Sequence, residues 1–481
     1  MTRSVKISGV ITTLMVLVLA LSTARVQAAP TDGTIKFWVQ NAVIQDPHMD
    51  TAGIQVEVDN GIVTLSGTVN SLASRSYAIL EAQKIDGVRG VIDKLTVQPT
   101  FRWDTDIAQD VRQRLVWDPA IASESIRAGC SDGKVTLEGQ VSSMSEKQEA
   151  GLVASEVRGV RSIQDDLTVL WGTTRSDDAI QKDILSAIHR DVYLTRVPIE
   201  VAVSKGHVTL TGRVGNEYEK LCAAEDVTWV NNVTGLDNAL KVEWGERTGT
   251  RSQSPIPSDE DLRAAVMAEL SQDSRIHPLD MTVLAELGHV TLAGTVPYYN
   301  QKQIAEDDVK DVVGVAWVTN NLTVRPEKRD DSAIQADVLA NMATDEALWD
   351  QGVDVKVNDA VVTLSGNVNT TYDRLHATTV AARIRGVRDV VNLLGVNWNP
   401  QYRDAELMQR VVARLKADYL LASVADRITV MVERGRVTLT GTVTNWGERS
   451  EADRVTFFTA GVQSIDNRIR VEGYRYPWPE S

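Results

Sequence analysis

One line recurs six times along the 481 residues and restricts the fold more than any other feature. Its first copy reads Gly61-Ile62-Val63-Thr64-Leu65-Ser66-Gly67-Thr68-Val69, and its counterparts begin at Gly133, Gly206, Gly288, Ala360 and Gly435. Each contains Val-Thr-Leu and then a glycine: Gly67, Gly139, Gly212, Gly294, Gly366 and Gly441. Twenty residues further on stands Gly87, Gly159, Asn232, Gly314, Gly386 or Gly461, followed each time by Val. Such a period means that one supersecondary unit is reiterated, so the problem reduces to what one unit folds into.

Each copy opens with an acid three residues before an apolar stripe: Asp32 before Ile35, Val39 and Val43; Asp104 before Ile107, Val111 and Leu115; Asp177 before Ile180, Ile184 and Ile188. Asp259, Asp331 and Asp404 stand in the same place. Apolar residues at i, i+4 and i+8 mark one face of a helix. The Asp at its head is expected to accept the orphan N–H groups of the first turn. Alternation then takes over, with Ile54, Val56 and Val58 before the glycine line and Val63, Leu65 and Val69 within it, which predicts two strands across a tight turn. Asn60-Gly61 and Asp132-Gly133 are favourable turn pairs because positive φ is nearly free for Gly. Asp359-Ala360 is not, since a left-handed Ala costs about 1 kcal/mol, and that turn is expected to differ in type. Eleven residues past the second glycine an alanine recurs (Ala78, Ala150, Ala223, Ala305, Ala377, Ala452), as a second helix lying close on a sheet requires. The Gly-Val or Asn-Val after it reads as that helix's left-handed stop. A third strand carries Asp93, Asp165, Asn238, Asn320, Asn392 or Asn467 at one matched place, read as turn or edge polar pairing. The order per copy is α-β-β-α-β, and the fold class is α+β.

With the Gly-x-Val-x-Leu-x-Gly-x-Val line, the alanine, the Gly-Val and the Val-x-Asn-x-Leu ending in place, the chain resembles the BON family of bacterial osmotic-stress and nodulation proteins. The resemblance covers about 31 to 473 and departs at Asn232 and Ala360. It implies two helices packed on a three-stranded sheet in each module, a periplasmic location, phospholipid or membrane-interface binding, and a role in osmotic-shock protection or envelope integrity. The modules are expected at 31–99, 101–171, 173–244, 259–325, 330–398 and 402–473, with a polar, Pro-bearing linker at 245–258 dividing them three and three. Domains near 70 residues have marginal cores, so Trp171, Trp244 and Trp398, at matched places beyond the third strand, are read as packing between modules.

Residues 1–28 read as a signal peptide, with Arg3 and Lys6 ahead of an apolar run from Ile7 to Leu21 and a small-residue site at Val26-Gln27-Ala28. Their removal takes away three basic residues and no acid, moving the formal charge from -15 to -18. That surface argues against nucleic acid as a partner, because a phosphate backbone needs a concentrated basic face. Charge is uneven, however: 401–476 holds 12 Arg plus Lys against 10 Asp plus Glu, whereas 257–325 holds 5 against 11. In the basic sixth copy Arg434, Arg436, Arg468, Arg470 and Arg475 stand near Tyr474, Tyr476 and Trp478, a mixture suited to anionic lipid headgroups.

Catalytic chemistry has no foothold in this pattern. His48, His189, His207, His277, His289 and His376 are scattered over the modules without metal-ligand spacing, His207 and His289 each simply following a turn Gly, and no Ser, Cys or acid pair stands apart from the repeat. Cys130 occupies a core-facing strand position and Cys222 lies on the second helix of another module, so a disulfide is not expected. The sequence reading is therefore a non-enzymatic, cofactor-free periplasmic protein that binds phospholipid or membrane surfaces, the alternative being a scaffold or chaperone-like protein for other envelope proteins.

Overall fold

The computed structural model describes residues 29–44, 53–170, 175–194, 197–243, 257–276, 281–397 and 403–474. The expected signal peptide, most of the 245–258 linker, His48, His277, Trp171, Trp244, Trp398, Arg475, Tyr476 and Trp478 lie outside these residues. Twelve helices are described, two per module: α1 (Asp32–Ile44) and α2 (Leu72–Gln83); α3 (Asp104–Trp117) and α4 (Met144–Ser155); α5 (Asp177–Arg190) and α6 (Glu217–Trp229); α7 (Asp259–Gln272) and α8 (Tyr299–Asp311); α9 (Asp331–Thr344) and α10 (Thr371–Ala382); α11 (Asp404–Ala417) and α12 (Trp446–Phe457). In each module the central strand, Ile62–Val69 in module one, pairs antiparallel with the strand before it and parallel with the strand that follows the second helix. In modules three, five and six that last strand is in two short pieces, so those sheets hold four strands. The class is α+β, in six repeats, each with its own buried apolar centre.

The two small-residue positions have clear causes. A Cβ on Gly67 would lie 1.9 Å from the carbonyl oxygen of Gly53, and one on Gly139 2.0 Å from that of Ser125, so the central strand accepts only Gly where the preceding segment crosses it. All six alanines of the second helix are fully buried, which lets that helix lie directly on the sheet.

Two local expectations change. The head acids do not cap their helices; each carboxylate reaches the hairpin turn about 28 residues on. Asp32 accepts the backbone N–H groups of Asn60 (2.9 Å) and Gly61 (2.8 Å), Asp104 those of Asp132 and Gly133, and Asp177 those of Lys205 and Gly206. Asp259 accepts from Leu287, Asp331 from Asp359 and Ala360, and Asp404 from Arg434 and Gly435. These bonds from Gly133 and then Asp132 hold the Asp104 carboxyl below its ordinary pKa. The turn at Ala360 is also not of a different type. Asp359 and Ala360 have φ of 53° and 59°, beside 51° and 76° at Asn60-Gly61, so all six hairpins turn through two left-handed residues. The two bonds to Asp331, each 2.8 Å, offset the strain on Ala360.

The matched polar residue of the third strand ties that strand to the second helix, always to the residue 18 positions earlier. Asp93 pairs with Arg75 (2.6 Å) and Asp165 with Lys147 (3.6 Å). In the other four modules an asparagine donates instead to the backbone oxygen of Lys220, Lys302, Arg374 or Arg449.

Candidate functional site

The modules join in nested pairs, one with six, two with five and three with four. At each joint the end of a first helix lies beside the end of the partner's second helix. Between modules one and six Asp86 N–H donates to Ala417 O and Tyr419 N–H to Lys84 O, both at 2.9 Å. Modules two and five exchange Arg158 N–H to Thr344 O (3.0 Å) and Glu346 N–H to Glu156 O (3.1 Å), and Arg385 N–H reaches Trp117 O on the other side. Modules three and four show both halves of the pseudo-two-fold, with bridges at Asp191–Val312 and Val230–Asp273. First helices cross these joints as α1 on α11, α3 on α9 and α5 on α7. Second helices gather in two groups, α6 against α2 and α4, and α8 against α10 and α12. The strongest contacts between modules are thus helix on helix, and the sheets turn their other faces outward.

An aspartate stands fourteen residues after each head acid, at Asp46, Asp118, Asp191, Asp273, Asp345 and Asp418, and all but Asp46, which lies outside the described residues, stand at these joints. At the five described positions its Oδ1 accepts the N–H two residues on, closing the first helix's end. Asp118, Asp273, Asp345 and Asp418 are buried.

Around this aspartate the three seams differ. Between one and six, Glu81 binds Arg414 (2.7 Å) and Arg454 (2.6 Å), and Glu451 binds Arg454 (2.6 Å) and Lys84 (3.4 Å). Burial works to raise the pKa of both glutamates, but the surrounding cations prevail and hold both below the usual range. Between two and five, Arg114 donates to Asp345 (2.8 Å) and Asn341 O (3.0 Å), Arg383 binds Glu156 (2.7 Å) and Glu149 (3.1 Å), and His376 Nε2 lies 3.0 Å from Asp345. Burial opposes both charges here too. His376 and Arg114 nevertheless hold Asp345 well below its ordinary range, while Asp345 raises His376. Asp118, buried beside Glu149, is pushed up to about 7.

Glu156, Asp345 and His376 present ligand atoms within 4.8 Å of one another, a spacing that a metal ion could use. The guanidiniums of Arg114 and Arg383 already neutralise both carboxylates, so a cation there would meet two positive charges. The arrangement suits an ion-pair lock between modules. His376, one of six scattered histidines in the sequence, has its role only through this tertiary neighbour.

The expected lipid-facing residues are partly brought together. Arg434 and Arg436 are exposed at module six's hairpin, Arg468 is exposed but bound to Asp466 at 2.7 Å, and Arg470 is half-buried. Tyr474, read from sequence as one of the headgroup-facing aromatics, instead lies over Gly288 of module four and donates to Gly314 O at 2.7 Å. A second surface was not foreseen. Phe101 and Trp103, 70% and 68% exposed, stand edge to face at 5.1 Å and with Arg102 and Arg161 line a cleft of about 260 Å³ at the start of α3. Its signal was two aromatics in a connection that the repeat leaves variable.

A family model for the BON domain matches residues 31–99, 104–170, 176–243, 258–326, 330–397 and 403–473. The chain belongs to the BON domain family. One relative of its BON modules is the Osmotically-inducible protein Y of Escherichia coli, 31% identical over 143 residues, which are 28% of this chain and 71% of that protein. Another is the Outer membrane lipoprotein DolP of Haemophilus influenzae, 28% identical over 138 residues, 27% of this chain and 71% of that one. Among solved structures, the C-terminal domain of CdsD, a type III secretion structural protein of Chlamydia trachomatis, aligns at 16% identity over 47% of this chain and all of that one. Its TM-score of 0.12 carries no argument. Among the described residues no helix is long and apolar enough to cross a membrane.

Proposed function

We propose that this BON-repeat chain is a non-enzymatic periplasmic protein that binds anionic phospholipid at membrane surfaces in envelope maintenance or osmotic-stress protection. The observation that carries the reading is the exposed pair Phe101 and Trp103 beside the exposed Arg161, with Arg102 held next to them by Asp110 at 2.7 Å. Aromatic rings with a polar rim sit well at the headgroup level of a bilayer, and guanidiniums there meet phosphate. Arg434 and Arg436 on the one net-basic module offer a second contact, with Arg468, Arg470, Arg475 and Trp478 as its remaining proposed members. Names of relatives that are osmotically inducible or an outer membrane lipoprotein agree with a place in the envelope.

Cosedimentation with phosphatidylglycerol and with phosphatidylcholine vesicles tests this. The wild type is expected to pellet with the anionic vesicles, and Phe101→Ala/Trp103→Ala and Arg434→Glu/Arg436→Glu each to weaken pelleting several-fold. A folded wild type that ignores both vesicles rejects the reading. A scaffold for other envelope proteins is the second reading. It is favoured by Leu284 and Leu287, 62% and 61% exposed on the acidic fourth module, and retention of a defined protein that is lost in Leu284→Ser/Leu287→Ser supports it.

A further inference from the structure

The three seams occupy equivalent places, so two of them serve as controls for the third. Between one and six, Glu81, Asp418 and Glu451 meet Lys84, Arg414 and Arg454. Between two and five, Asp118, Glu149, Glu156 and Asp345 meet Arg114, Arg383 and His376. Between three and four, Asp191, Glu225, Asp226, Glu269, Asp273, Asp308 and Asp311 face Arg190 and Arg275. Two cations stand at the edge: Lys84, which also serves Glu451, and Lys310, which binds Glu306 and Asp307.

The two arginines do not cover the excess. Arg190 binds Glu269 (2.9 Å), and Arg275 binds Asp273 and Asp308 (2.8 Å) while stacking on Trp229. Among the described residues the side chain of Asp226, 8% exposed, has no hydrogen bond or ion pair, and its Oδ2 is buried without a partner. Oδ2 of Asp308, 6% exposed, is likewise unpartnered. Both carboxylates line a cleft of about 50 Å³ shared with Asp191, Glu225, Glu269 and Asp311. Leaving a buried carboxylate uncompensated is unfavourable, because the charge has lost its water and gained no partner. The unpartnered buried oxygens beside an open cleft point to a cation that binds there.

We propose that the seam between modules three and four binds a divalent metal cation that keeps part of its water shell, with Asp226 and Asp308 as its principal ligands. Hard divalent cations take oxygen ligands, and magnesium in particular dehydrates reluctantly and is held by one or two carboxylates plus water. The cleft has room for about three or four water-sized spheres. Among the described residues no three ligand atoms there lie within 4.8 Å of one another, as they do at Glu156, Asp345 and His376, so water has to supply most of the ligands of such an ion. The site does not depend on lipid binding.

Calorimetric titration of the full, chelator-stripped chain at pH 8 with MgCl2 and with CaCl2, at ionic strength held by NaCl, tests it. The expected result is one saturable site, a Tm that rises with the metal, and at least tenfold weaker binding in Asp226→Asn. That variant loses an uncompensated charge and is expected to remain folded, with a Tm at or above that of the metal-free wild type. Asp118→Asn, at the equivalent seam, is expected to leave the affinity unchanged. A folded wild type that takes up neither ion saturably overturns the proposal, as does unaltered binding in Asp226→Asn. A Tm that responds to acidification from pH 8 to 6 but not to metal makes the seam a proton site and also rejects it.

Discussion

Arg114 is the residue whose loss reads out most directly on the joint between modules two and five. It is 3% exposed, and its guanidinium reaches Asp345 at 2.8 Å, the carbonyl of Asn341 at 3.0 Å and Glu156 at 3.4 Å. Arg114→Met keeps most of the apolar stem but leaves Asp345, which is 0% exposed, with His376 as its remaining charged partner. Breaking a buried pair by removing one member costs about 3 to 5 kcal/mol. If that cost falls on the seam, the opening equilibrium of its two backbone bonds shifts by roughly two to three and a half powers of ten, at 1.4 kcal/mol per tenfold. Native-state hydrogen exchange measures this at the amides of Arg158 and Glu346, which bond Thr344 O and Glu156 O. Val192 and Val313, in the corresponding bonds between modules three and four, are the reference. Adding Asp345→Asn to Arg114→Met is expected to recover most of the loss, because it removes the stranded charge. Unchanged exchange at Arg158 and Glu346, or equal acceleration at Val192 and Val313, refutes a local ion-pair lock.

Ala360→Gly is expected to stabilise module five by about 0.5 kcal/mol, since relief of a left-handed alanine exceeds the added freedom of the unfolded glycine; slower exchange at Val361 and Val362 checks it, and faster exchange contradicts it. The same seam gives a pH dependence whose two limits have opposite sign. Asp345, held below its unfolded value, contributes stability that is present above about pH 4 and lost on acidification through its folded pKa, whereas His376, raised, contributes stability present below about pH 6.5 and lost as pH rises through its folded pKa. Exchange at Glu346 should therefore be slowest between those limits, and His376→Gln should weaken the alkaline limb, leaving the part that Asp118 and Glu346, both pushed up to about 7, contribute as they ionise.

Most of one module was legible in the sequence, and for a physical reason: each local element is fixed by its neighbours in the chain. The stripe Ile107, Val111 and Leu115, the turn Asp132-Gly133 and the buried Ala150 need nothing from another module. Asp104 was misread because a head acid looks like a helix cap until its true partners, the N–H groups of Asp132 and Gly133, are seen in space. Two further signals were present and unread. A basic residue stands 18 positions before every third-strand Asp or Asn, and an aspartate stands 14 after every head acid. The nesting of modules was not readable, since the residues that set it are those that escape the repeat. The position of Arg114 holds Ala42, Ala187, Glu269, Asn341 and Arg414 in the other copies. Of the six proposed lipid contacts, Arg434, Arg436 and Arg468 are exposed, Arg470 is half-buried, and Arg475 and Trp478 lie outside the described residues.

Nested pairing makes its sharpest demand on the two ends of the chain. Ile85 and Asp418 face each other as a bridged pair whose flanking residues carry the hydrogen bonds, the close-spaced arrangement in which two cysteines can be joined. In a chain with Cys130→Ala and Cys222→Ala, the double substitution Ile85→Cys/Asp418→Cys is expected to oxidise to an intrachain disulfide, seen as a faster band on a non-reducing gel and as a cross-linked peptide by mass spectrometry. A folded variant in which the two thiols stay free, or pair only between molecules, or in which Ile85→Cys joins Asp345→Cys as readily, would contradict the pairing of modules one and six.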